Sequence, residues 1–64
     1  MIATIKGKQI QADPNTIQEI ATEFFTASVY YGRIGCMNLC IEAGDVALEL
    51  RDALRKVGFE EDDK

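Results

Sequence analysis

The sequence predicts an α+β fold, a small ββαα domain in which an N-terminal β-hairpin packs on an antiparallel two-helix hairpin. Three observations predict it. Residues 2–12, IATIKGKQIQA, alternate apolar and polar around Gly7; Asp13-Pro14 follows at once; and from Ile17 to Val57 apolar residues recur every three or four positions, interrupted at the glycines of YYGRIGC. Alternation at period two is the mark of a half-buried strand, and three-and-four spacing that of an amphipathic helix.

In the hairpin, Ala3, Ile5, Ile10 and Ala12 fall on one face and Thr4, Gln9 and Gln11 on the other, so one side is dry and one wet. Gly7-Lys8 is the expected two-residue loop, with glycine first in a type II′ turn. That register opposes Ile5 to Ile10 and Thr4 to Gln11, whereas a Lys6-Gly7 loop opposes Ile5 to Lys8.

The first helix is expected over about 14–31. Aspartate caps free N–H groups, and proline is pre-shaped for the first helical position, where its missing N–H costs nothing. Ile17, Ile20, Ala21, Phe24, Ser28 and Tyr31 form its core stripe, with Glu19, Thr22, Glu23 and Thr26 opposite and Gly32 as its expected stop. The second helix is expected over about 36–57, starting either near Gly35 or after Cys40. Its seam is Cys40, Ala43, Ala47, Leu50, Leu54 and Val57, flanked by Leu39, Val46 and Ala53. Gly58 closes it, with Phe59 covering the end. Arg55 and Lys56 suit the negative end of its dipole. An acidic tail, residues 60–64, completes the single domain.

Sixty-four residues bury only ~60% of the surface an unfolded chain exposes, so the core is marginal without disulfides, a metal or a partner subunit. Hydrophobic residues at 47% and charged residues at 28% nonetheless match a folded protein. Cys36 and Cys40 stand one helical turn apart, too far for an unstrained bridge, and read as reduced thiols. That reading, an N-terminus MIATIKGKQI without a leader pattern and the lack of a membrane-length apolar run make the cytoplasm the expected compartment.

The absence of histidine removes the imidazole base and the commonest metal ligand, and a net charge of −4 disfavours a nucleic-acid partner. Ser28 has no histidine to activate it, so no catalytic residue and no enzyme is expected. Neither cofactor nor metal is expected, although two thiolates at i and i+4 would make half a tetrahedral site. The acidic helix face of Glu42, Asp45, Glu49 and Asp52, extended by the tail, would suit mimicry of a nucleic-acid backbone, but such a face is ordinarily a solvated one.

The corner YYGRIGC offers a ligand site in which Tyr30 and Tyr31 stack, Arg33 donates to an anion, and Gly32 and Gly35 admit backbone N–H groups. As a plain corner, Gly32 stops the helix, Gly35 allows close packing, Tyr31 turns inward and Arg33 lies at the rim. Phe25, Val29, Met37, Ile41 and Leu48 lie outside the stripes a two-helix hairpin over a sheet requires. Such a surplus marks an interface, and self-association needs only one self-complementary patch. The function expected is a small cytosolic protein-interaction module acting as a homo-oligomer, its partner itself or another protein. The alternative is an oligomer that sequesters a small anionic metabolite or nucleotide at the 30–36 corner; its size and acidity would suit an accessory, counter-defence protein of a phage or mobile element.

Overall fold

The computed structural model describes residues 1–59; the acidic tail expected over 60–64 lies outside the described residues. An antiparallel two-stranded sheet, β1 (Ile2–Ile5) and β2 (Lys8–Gln11), is followed by two packed helices, α1 (Pro14–Arg33) and α2 (Met37–Lys56). β1 lies against α2, and the two helices run side by side along most of their length.

The hairpin register differs from the expected one. Ile5 faces Lys8, Thr4 faces Gln9 and Ala3 faces Ile10, so the loop is Lys6-Gly7 rather than Gly7-Lys8. Both loop residues have positive φ, 52° at Lys6 and 84° at Gly7, as a type I′ turn requires. Ladder length explains the choice. This register lets Met1 and Ala12 exchange two backbone bonds, Met1 N to Ala12 O at 2.7 Å and Ala12 N to Met1 O at 3.0 Å. The alternative would set Ala3 opposite Ala12 and leave Met1 and Ile2 facing Asp13-Pro14, which is already turning into α1. Lys6 accepts a left-handed conformation unusual for its type, and its ammonium reaches Glu42 of α2 at 3.7 Å.

Asp13 starts α1 as the sequence implies. Its backbone is extended (φ −77°, ψ 163°), and its carboxylate accepts from the Thr16 N–H at 2.8 Å. Thr16, through its hydroxyl and its backbone N–H, holds the Asp13 carboxyl below its ordinary value of 3.8.

The core joins the first half of α1 to the second half of α2, which antiparallel packing brings to the same end. Ala3, Ile17, Ala21, Val46, Leu50 and Leu54 form its buried centre, with Ile10, Phe24 and Phe59 among the half-buried side chains packed around it. The sheet roofs this end only. Two core expectations need correction at the ends of α2: Leu39, expected beside the seam, and Val57, expected in it, are 45% and 54% exposed and lie outside the buried cluster.

Candidate functional site

The corner is built from one device used twice. In α1 the helix runs past Gly32 to Arg33; Ile34 is the cap, and Gly35 takes φ +86°. Gly35 N–H bonds to Gly32 O at 3.3 Å and Cys36 N–H to Tyr31 O at 2.9 Å, the paired 5→2 and 6→1 bonds of a Schellman motif. At the end of α2, Gly58 (φ +80°) bonds to Arg55 O at 3.0 Å and Phe59 N–H to Leu54 O at 3.0 Å, the same pattern.

The two corner glycines therefore exchange the roles the sequence suggested. Gly35 is the stop, and a Cβ on it would meet nothing within 4 Å. Gly32 is the close-packing position, since a Cβ there would come 3.4 Å from Cys40 Sγ. Next along the helix contact, Ser28 Oγ donates to Cys40 O at 2.8 Å and lies 3.5 Å from Cys40 Sγ. Gly44 completes this small-residue strip, its absent Cβ 3.3 Å from Ser28 Oγ. Gly44 is the residue the sequence reading missed; its place between Ile41 and Leu48 at three-and-four spacing was the available signal.

The proposed ligand residues are partly brought together. Arg33 and Tyr30 share a shallow open depression with Phe25, Thr26 and Val29. Tyr31 instead packs half-buried, its ring edge-on to Tyr30 at 5.6 Å. Gly32 faces the second helix, and the N–H groups of Gly35 and Cys36 are committed to carbonyls, leaving neither to cradle an anion. Cys36 and Cys40 are free and half-buried, and no group of three metal-ligating side chains occurs among the described residues. Glu42, Asp45 and Glu49 line a second open depression with Lys6, whose charge faces the acidic side of α2.

The five apolar residues singled out as an interface are all exposed, from 44% at Val29 to 66% at Leu48. Helical phase places them together. On α1, Phe25 and Val29 follow the core stripe by roughly a quarter to a third of a turn. On α2, Met37, Ile41 and Leu48 follow theirs in the same sense. Val46 and Ala53, on the other flank of α2, pack into the core beneath the sheet, so the five occupy the face turned away from it. At about one-half exposure, large apolar side chains leave on the order of 100 Å² each, which makes a patch near the top of the ~300–600 Å² found on ordinary monomers.

What fold and surface define is a small ββαα domain with one apolar helical face. Comparison with models of protein families, with curated proteins and with solved structures finds no match to this chain. No helix of the described residues is long and apolar enough to cross a membrane.

Proposed function

We propose that the chain is a cytosolic protein-interaction module that acts as a homo-oligomer and carries no catalysis of its own. The observation that supports this is the exposed face of Phe25, Val29, Met37, Ile41 and Leu48 on the side of the helices the sheet does not cover. In a 64-residue chain with one small core, burying that face against a second copy supplements stability where a monomer is short of it. The geometry of the corner supports the anion-sequestering alternative less well, because its backbone donors are already used.

Analytical ultracentrifugation at micromolar concentration tests the reading. The wild type is expected to sediment as a dimer or larger, and Leu48→Glu to shift it toward monomer. Glu49→Lys, one residue away and off the face, should leave assembly intact. A wild type that sediments as a monomer overturns the proposal.

A further inference from the structure

We infer that a second copy of this chain docks on the apolar face with its two-fold axis parallel to the helices. Each α1 then lies on the partner's α2, forming an all-antiparallel four-helix bundle with both corners at one end and both sheets outside. The inference rests on the self-association reading above and adds its geometry.

The first observation is spacing. Met37, Ile41, Gly44 and Leu48 recur at four, three and four residues, and Phe25 and Val29 at four. This is the 3-4 pattern of a bundle seam, repeated on the side of each helix away from its buried seam. A helix with two such seams is suited to two helical neighbours, and only one is present within the chain.

The second observation is polarity along the face. Its corner half is dominated by apolar side chains, with Thr26 and Arg33 at its edge, whereas its far half carries Gln18 and Thr22 on α1 and Arg51 and Arg55 on α2. If the copies met with corners at opposite ends, the apolar halves could coincide only by sliding until the far halves overhung. With corners together the whole face overlaps, and Arg55 lies level with the partner's Gln18. Every neighbouring pair in the bundle is then antiparallel, so dipole ends of opposite sign adjoin.

The third is level. Gly32 beside Cys40 and Ser28 beside Gly44 fix how far along α2 each α1 residue lies. An axis parallel to the helices preserves those levels across the interface. Phe25 therefore meets the partner's Leu48, and Val29 sits over the partner's Gly44, where the absent side chain leaves room. The five apolar residues offer roughly 500 Å² per copy; Gln18, Thr22 and the Arg55 stem bring the face toward the ~800 Å² per partner of a standard interface.

Single-cysteine cross-linking tests the geometry. In a Cys36→Ser, Cys40→Ser background shown by sedimentation to assemble as the wild type does, Gln18→Cys is treated with a short bis-maleimide. Gln18 lies near the proposed axis, so a covalent dimer is expected in high yield, whereas Glu23→Cys, on the outer side of α1, should give little. Corners at opposite ends would put the two Gln18 positions about 30 Å apart, from ~1.5 Å per helical residue. A protein that sediments as a dimer yet fails to cross-link at Gln18 overturns this geometry and leaves self-association standing. A monomer in sedimentation overturns both.

Discussion

Replacing Gly35 and Gly32 separately by alanine should move stability in opposite directions. At Gly35 the backbone is left-handed, φ +86°, and open space surrounds the missing Cβ. The penalty is therefore backbone strain alone, about 1 kcal/mol for an L-residue other than asparagine. At Gly32 the backbone is helical, and alanine is favoured over glycine in a helix interior by about 1 kcal/mol. Position in the last turn and the 3.4 Å approach to Cys40 Sγ reduce that gain to ~0.5 kcal/mol. A domain of this size shifts its Tm by about 4–8 °C per kcal/mol. Circular-dichroism melts at one fixed protein concentration should thus place Gly35→Ala roughly 4–8 °C below wild type and Gly32→Ala about 2–4 °C above it. Fixed concentration matters because association makes Tm concentration-dependent. Gly35→Asn should recover part of the loss, since asparagine tolerates the left-handed region. If Gly32→Ala proves the more destabilising of the pair, the assignment of stop and packing roles is refuted.

Lys6→Asn should raise stability by about 0.5–1 kcal/mol, because asparagine suits a type I′ turn and the pair with Glu42, 60% exposed on both sides, contributes little; an unchanged urea midpoint would count against the turn assignment. Asp13 gives a pH dependence whose sign is fixed. Its folded pKa lies below 3.8, so its contribution is complete above the unfolded value and disappears as pH falls through the lowered one; Asp13→Asn, which still caps but does not titrate, should flatten that part of the acid limb in pH-dependent melts. Arg33→Ala should leave thermal stability within ~0.5 kcal/mol, since Arg33 makes no ion pair among the described residues; a larger drop in Tm would show a structural role for the guanidinium. Gly44→Ala should be near neutral alone, helix propensity offsetting its 3.3 Å crowding of Ser28 Oγ, and clearly stabilising in a Ser28→Ala background; equal effects in both backgrounds of a double-mutant cycle would deny the contact.

The ββαα order was legible because its signals are local. Period-two alternation, Asp13-Pro14 and the three-and-four spacing each need only a few neighbouring residues. The hairpin register was not, because it turns on a distant requirement: Met1 needs Ala12 as a partner, and that outweighs the strain of a positive φ at Lys6. The glycines at 32 and 35 were misassigned for a related reason. Both follow the end of the α1 stripe, and only the pair of bonds from Gly35 and Cys36 back to Gly32 and Tyr31 distinguishes a stop from a contact. Exposure of Phe25, Val29, Met37, Ile41 and Leu48 could be read from helical phase alone. The exposure of Leu39 and Val57 could not, since both lie in phase with the core and only the extent of the buried cluster leaves them outside it.

The core's division between chain ends bears on how the protein is made. Ala3, Ile17 and Ala21 find Val46, Leu50 and Leu54 as their partners in the buried cluster. During synthesis the hairpin and α1 leave the ribosome first, with their apolar stripe uncovered and no complete core to enter. A two-stranded sheet beside one helix has little independent stability, so the nascent chain waits for most of α2. Folding is thus deferred until α2 has emerged, and a nascent chain arrested before Leu50 should remain protease-sensitive where one extended through Phe59 and clear of the exit tunnel is protected.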